Sequence, residues 1–362
     1  MKRILLYTDS LGAGGAQRQL CGLAVLLKER GYQVDVATYC NIDFYKEDLD
    51  SNLVNNVVLE SSNGLFSRIN SLYKYIKTTK PQVVISYQET PSLISSCVRF
   101  LGLKFYLIVS ERSTTQKIGL RERLRFLLYR WANKIVPNSF TQAKFLSDHY
   151  LWMRKRIKTI PNYVDLQHFA FNPSLFLDNN IVPQIAIAAS IWPVKNTLRF
   201  IEAMRILKDR NVLCHVKWYG YTIANQDYFN IALNLIREYQ LEEYIELLPK
   251  TQNIRDVYRQ CHFLCLPSIY EGTPNVIAEA MATGRPILCS KVCDNPRYVV
   301  ESVNGYLFDP YNPEDIAEQI IRGLSVSEQE YNQMCQESRK RAEEMLSMDI
   351  FINKYIEILK EC

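Results

Sequence analysis

Glu271 and Glu279 stand with seven residues between them, around the turn Gly272-Thr273-Pro274-Asn275. A carboxylate accepts hydrogen bonds from vicinal hydroxyls, and bare N–H groups at a helix start bind phosphate. Together they would suit a molecule that is part polyol and part anion. The run Cys261–Leu266 reads as an apolar strand, Pro267 to Asn275 as a turn, and Val276 to Ala282 as a helix. Thr273 is the expected N-cap and Pro274 the expected first helical residue, with Gly284 and Pro286 ending the helix. Glu271 then falls in a loop at the strand's carboxyl end and Glu279 on the second helical turn. The N–H groups of Asn275 and Val276 lie at the positive end of the helix dipole. On spacing alone, a loop charge and a solvated helix residue explain the two glutamates equally well.

A second candidate follows the first strand. Residues 3–8 end in Asp9-Ser10-Leu11-Gly12-Ala13-Gly14-Gly15-Ala16-Gln17-Arg18, ahead of an amphipathic stretch. Glycines allow close backbone approach to a ligand, and the helix start again favours an anion. The spacing is neither GxGxxG nor a P-loop with its lysine. A loop touching a diphosphate and a merely tight turn both remain open.

The elements that must position these residues alternate strand and helix along the chain. Strands are expected at 3–8, 33–39, 82–87, 105–110, 134–137 and 157–160. A second set is expected at 184–189, 213–218, 245–248, 262–267, 286–290 and 305–308. Amphipathic stretches such as 16–30, 66–79, 328–346 and 349–360 lie between and after them. Such alternation predicts an α/β protein with parallel sheets covered on both faces. The pattern pauses over the turn-rich 161–183, so we expect two doubly wound domains. Ligands bind such sheets at the carboxyl ends of the strands, and two of them facing one another would make a cleft.

Composition narrows the function classes. Of 362 residues, 48% are hydrophobic, enough for two ordinary cores and too many for a disordered chain. No run is long and apolar enough to span a bilayer, and the opening residues read as a strand without a signal-peptide pattern. A cytoplasmic location is expected. The ten cysteines have no zinc-ligand spacing and read as buried small hydrophobes. Residues 1–168 carry a net charge of +11 and residues 169–362 one of −6. Most of the excess lies in 112–158, where twelve basic residues face two acidic ones. Within it, Leu120, Leu124, Leu127, Leu128 and Trp131 follow helical spacing among Arg121, Arg123, Arg125 and Arg130. This suits a helix on an anionic membrane surface, or one packed on its own sheet. Charge alone permits nucleic acid, but no recognition motif accompanies it, so no nucleic-acid partner is expected.

The run PSIYEGTPNVIAEAMATGRPIL, with NGYLFDP at 304–310, GAGGAQR at 12–18 and IPNYVD at 160–165, resembles the family 4 glycosyltransferases. These are retaining enzymes of the GT-B fold, and the resemblance covers essentially the whole chain. It implies an acceptor-side domain, 1–165, joined by a returning helix at about 347–362, and a donor-binding domain, 166–346. It implies that Glu279 binds the ribose of a nucleotide-sugar and that Glu271 contacts the sugar. Gly272, Thr273, Pro274, Asn275 and Val276 would hold sugar and diphosphate, and Gly14 and Gly15 would approach the phosphates. Lys195 matches a family lysine that neutralises the diphosphate, whereas Ser190 stands where the family has arginine. Arg18, Arg285 and Arg297 are candidate replacements. Ser110-Glu111-Arg112 resembles a variant in members that build lipid-linked oligosaccharides, so Glu111 is expected near the chemistry, with Glu111 or Arg112 contacting donor or acceptor; a salt-bridged strand end is the alternative. Arg112, with Lys117, Arg121, Arg125 and Arg130, is expected on the acceptor or membrane side. The activity implied is transfer from a nucleotide-sugar, with UDP the expected nucleotide, to a glycan or polyprenyl-linked acceptor in cell-surface polysaccharide assembly. No metal and no cofactor are expected, and peripheral attachment to the inner membrane face is. A nucleotide-sugar epimerase and a silent donor-binding protein are the alternatives.

Overall fold

The computed structural model describes residues 2–60, 64–115, 117–172 and 181–362. Part of the expected connecting segment, 173–180, lies outside them. The chain divides into two compact units, Met1–Asn162 with Asp349–Cys362, and Tyr163–Met348. The division expected from the sequence stood at 165/166 and 347.

Among the described residues, the first unit carries strands β1 (Arg3–Tyr7), β2 (Gln33–Thr38), β3 (Asn55–Val58), β4 (Val83–Tyr87), β5 (Tyr106–Glu111) and β6 (Lys134–Pro137). The second carries β7 (Gln184–Ala188), β8 (His215–Tyr221), β9 (Ile245–Pro249), β10 (Phe263–Leu266), β11 (Ile287–Ser290) and β12 (Gly305–Phe308). All pairings are parallel, in the orders β3-β2-β1-β4-β5-β6 and β12-β11-β10-β7-β8-β9. Each is a doubly wound sheet whose order reverses once, between β1 and β4 and between β7 and β10. The open crevice at the carboxyl ends of those central strands is where such sheets bind ligands. This is the two-domain GT-B architecture.

Continuous apolar strands such as Val83–Tyr87 and Phe263–Leu266 are buried on both faces, as parallel sheets require. The final helix, Met348–Lys360, buries Phe351, Ile352, Tyr355, Ile358 and Leu359, a stripe at helical spacing. Residues 349–362 join the first unit. There the hydroxyls of Tyr355 and Tyr87 are 2.9 Å apart, and Lys134 and Lys158 pair with Glu361 and Glu357.

Two expectations fail at sheet edges. β3 went unread because Asn55-Asn56-Val57-Val58 is short and half polar. Residues 157–160 form no strand; they run beside β6 with one bridge, Ile157 to Ile135. The backbone bonds Lys158 N–H to Ile135 O and Ile160 N–H to Pro137 O hold them there.

Candidate active site

In the second unit, two loops meet at the reversal point of the sheet. β10 ends at Leu266 and its loop carries Glu271. β7 ends at Ala188 and a single 3₁₀ turn, Pro193–Lys195, presents Lys195. The N–H of Ile269 donates to Val194 O at 2.9 Å, tying one loop to the other. Asn196, in the left-handed region at φ 64°, is buried and donates from Nδ2 to Pro310 O at 2.6 Å. That bond anchors the lysine turn to the segment after β12. The outcome is a direct ion pair, Lys195 Nζ to Glu271 Oε1 at 2.6 Å, between residues distant in sequence. Both side chains are mostly covered but not sealed, at 23% and 11% exposure. A group entering this crevice meets one cation and one carboxylate already in register.

Beside them the helix Asn275–Thr283 begins. The structure corrects its start by one residue: Pro274 is the N-cap, with no side-chain cap, and Thr273 precedes it. Proline's fixed φ suits either place, and Pro274 lies at φ −72° and ψ 116°. Gly284 ends the helix in the left-handed region at φ 85°, as expected. The first-turn N–H groups of this helix, those of Asn275 and Val276 included, face the same sheet edge as Glu271 and Lys195. Gly272, Asn275 and Val276 are partly exposed, while Thr273 and Pro274 are buried. Glu279 is 4% exposed, and the buried Tyr258 hydroxyl donates to its Oε2 at 3.0 Å. It is therefore an oriented interior carboxylate. Tyr258 carried no signal in the sequence beyond an apolar helix position.

Ser190 is exposed in the loop after β7, where it offers a hydroxyl and no charge. Arg285 cannot replace the missing arginine. It is fully buried and donates to the carbonyls of Asn172 and Cys261. It also follows the carboxyl end of its helix, at the opposite edge of the sheet. Arg297, in the short helix after β11, lies at the correct edge.

In the first unit, Gly14 is the N-cap and Gly15 the first residue of the helix Gly15–Glu29. Gly14 has φ −113°, so its backbone does not require glycine. Glu111, expected near the chemistry, is fully buried at the end of β5. The Tyr129 hydroxyl donates to its Oε1, Arg125 lies 3.3 Å from Oε2, and Gln142 Nε2 donates at 3.4 Å. Burial raises its pKa and Arg125 offsets only part of that rise. A direct substrate contact by Glu111 is thus corrected to an interior network.

Arg125 is corrected as well. Expected on an outer basic face, it is 4% exposed, pairing with Glu89 Oε2 at 2.8 Å as well as with Glu111. Burial raises the Glu89 pKa, but the Arg125 charge and hydrogen bond outweigh it, and the net shift is downward. The helix Leu120–Leu128 is accordingly turned over. It buries Arg125 and Phe126, while Leu120, Leu124, Leu127 and the following Trp131 are exposed, Leu120 to 86%. Lys117, Arg121, Arg123 and Arg130 are exposed around them. Phe100, itself exposed, packs edge-on against Trp131 at 4.7 Å.

Arg112 lies over the Tyr87 ring, 4.3 Å from its centroid. It lines a cavity of about 310 Å³ with Asp9, Tyr39, Gln88, Glu89 and Ser113. Gln88 and Glu89 were missed in the sequence.

Comparisons with known proteins agree with this fold. A model described as Glycosyltransferase Family 4 matches residues 13–168, and one described as Glycosyl transferases group 1 matches 178–341. An uncharacterized glycosyltransferase of Haemophilus influenzae is 25% identical, covering 99% of this chain and 98% of that one. A Campylobacter jejuni enzyme is 26% identical, with 78% of this chain and 77% of that one covered. It is named GalNAc-alpha-(1->4)-GalNAc-alpha-(1->3)-diNAcBac-PP-undecaprenol alpha-1,4-N-acetyl-D-galactosaminyltransferase. Among solved structures, Anabaena HepE in complex with UDP-glucose superposes with a TM-score of 0.86 at 17% identity, each chain covered completely.

Proposed function

Because the chain belongs to the family 4 glycosyltransferases, we propose that it moves a sugar from a UDP-linked donor to a polyprenyl-diphosphate-linked glycan, with retention of anomeric configuration. The observation that carries this is the Lys195–Glu271 pair at the reversal point of the second sheet, beside the start of the helix bearing Glu279. Lys195 and the helix N-terminus stabilise charge on the departing diphosphate, which is the main electrostatic task of such a transfer. Glu279, oriented by Tyr258, accepts hydrogen bonds from the ribose. Glu271 contacts the sugar while holding Lys195; engaged in an ion pair, it serves as an orienting carboxylate and not as a nucleophile. The leaving diphosphate itself helps deprotonate the acceptor hydroxyl. With Lys195 and the helix start in these roles, the transfer needs no metal or cofactor. UDP as carrier and a lipid diphosphate as acceptor are supported by the ligand of HepE and the name of the Campylobacter enzyme.

The exposed Leu120, Leu124, Leu127 and Trp131, set among Arg121, Arg123 and Arg130, support peripheral attachment to the anionic inner face of the cell membrane. Among the described residues no helix is long and apolar enough to cross a membrane. Flotation with anionic vesicles should recover the wild type and lose a Leu124→Asp variant. Absence of wild-type binding at moderate salt would remove this element.

The central test is a UDP-sugar panel with a lipid-linked acceptor, followed by NMR of the product anomer, with and without chelator. Transfer with retention, unaffected by chelator, is expected. An inverted product, reversible loss on chelation, an epimerised donor, or UDP binding without turnover would each overturn the corresponding part.

A further inference from the structure

The crevice at the reversal point of the first sheet, between the ends of β1 and β4, contains a cation with no hydrogen-bond partner among the described residues. Nε, Nη1 and Nη2 of Arg112 are buried and make no hydrogen bond among the described residues, and no ion pair reaches this guanidinium. Stacking on Tyr87 covers one face and leaves the N–H edges unmatched. A buried guanidinium is costly unless an anion meets it.

A second observation marks the same place. Gln88 has φ 75° and ψ 171°, a region that residues with a Cβ enter only under strain. Its N–H is held by Ser110 O at 3.1 Å, and its Oε1 accepts from Thr8 Oγ1 at 3.1 Å. Strain maintained in this way collects at functional sites. The remaining walls supply carboxylates. Glu89 is fixed by Arg125 and by Ser113 Oγ at 2.9 Å. Asp9 Oδ1 accepts from the Ser10 N–H at 2.7 Å and Gln17 Nε2 at 3.0 Å. Carboxylates held in this manner bind hydroxyls, whereas the guanidinium fork binds phosphate or carboxylate.

We propose that this pocket receives an acceptor sugar carrying an adjacent anionic oxygen group, phosphoryl or carboxylate, and that Arg112 is the residue that selects for the charge. The proposal rests on the glycosyl-transfer reading above and specifies its acceptor.

The test uses the full chain saturated with UDP, so that the donor site is filled. Glucose 1-phosphate, methyl α-glucuronide and neutral methyl α-glucoside are titrated calorimetrically into wild type, Arg112→Gln and Arg112→Lys. At least one anionic probe should bind wild type tenfold or more tightly than the neutral one. Which anionic probe does so distinguishes a phosphoryl from a carboxylate acceptor. Arg112→Gln should reduce the preference to within twofold, and Arg112→Lys should keep part of it. Without ligand, Arg112→Gln should melt at or above the wild-type temperature, because the buried guanidinium it removes makes no hydrogen bond among the described residues. Equal binding of charged and neutral probes, a preference that survives Arg112→Gln, or no binding of any probe overturns the proposal. If UDP fails to bind wild type, the donor reading falls, and titrations without UDP still report on the pocket.

Discussion

The two sheets place acidic and basic residues at equivalent edges and treat them in opposite ways. In the second unit, Lys195 and Glu271 pair in loops that remain open at the sheet edge. In the first, Glu111 and Arg125 pair in the interior, and Glu89 extends the network toward a cavity. The difference follows from what comes next in the chain. After β10 a helix start faces the crevice and supplies positive potential without a side chain. After β5 the chain supplies Arg125 from the helix Leu120–Leu128, and two carboxylates draw it inside. Its leucines are left in solvent, although burying a leucine fully contributes about 1.5–3 kcal/mol. An interior carboxylate left without its cation costs about 3–5 kcal/mol, more than any one of these leucines would return.

The largest effect should come from breaking the interior pair. Arg125→Ala leaves Glu111 as a buried carboxylate without its cation, and a loss of about 3–5 kcal/mol in urea unfolding is expected. Arg125→Met combined with Glu111→Gln should recover most of it, since shape is kept and both charges go. A single-variant loss under about 1 kcal/mol would place the pair among surface bridges and remove the contrast.

The open pair should show the reverse profile. Lys195→Ala is expected to lower kcat roughly 10²–10³-fold, as loss of a preorganised charge at a leaving group does. Its melting temperature should change little, because partly exposed ion pairs contribute about 1 kcal/mol or less. A variant that unfolds but keeps its turnover per folded molecule would assign Lys195 to the scaffold.

The pH dependence sharpens the comparison within one network. Glu111 has a raised pKa, with burial the largest cause. The folded state then binds its proton more readily than the unfolded one. Its contribution is full below the unfolded value near ~4.3 and is lost as pH rises through the folded pKa. Glu89 is shifted the other way, Arg125 overcoming burial. Its contribution is present above ~4.3 and lost as pH falls through its folded pKa. Glu111→Gln should therefore flatten the decline in stability on the alkaline side of ~4.3, and Glu89→Gln the decline on the acid side. Matching profiles for the two variants would contradict the opposed shifts.

This contrast also sets what could be read from the sequence. Most of the described strands carry apolar runs bounded by turn residues. So the two doubly wound sheets were legible, except at the edge, where β3 is half polar and 157–160 is extended without pairing. The Glu271 loop was legible because local chemistry fixes it: a strand end, a proline and a helix start. Lys195 was matched by resemblance, but its contact with Glu271 depends on the order of β7 and β10 in the sheet. Arg125 was misread because periodicity counts leucines and does not register two distant carboxylates. Arg112 was placed near the acceptor, but its lack of a hydrogen-bond partner among the described residues and the strain at Gln88 appear only in three dimensions.

The smallest effect tests whether the interior hydrogen bond on the open side serves binding. Tyr258 is buried and donates to Glu279 Oε2 at 3.0 Å, so it can orient that carboxylate without touching a nucleotide. Tyr258→Phe keeps the ring and removes one donor, a change of about 1 kcal/mol, or roughly fivefold in UDP affinity. If Glu279 meets the ribose, the loss must depend on the sugar hydroxyl. UDP should weaken in the variant, while 2′-deoxy-UDP, already lacking one partner, should weaken less. Equal losses for both nucleotides would make Tyr258 a packing residue and remove its link to Glu279. Unchanged affinities would show that Glu279 is held by its helix alone. The comparison would then rest on Lys195 and Glu271 at one sheet and on Arg125 at the other.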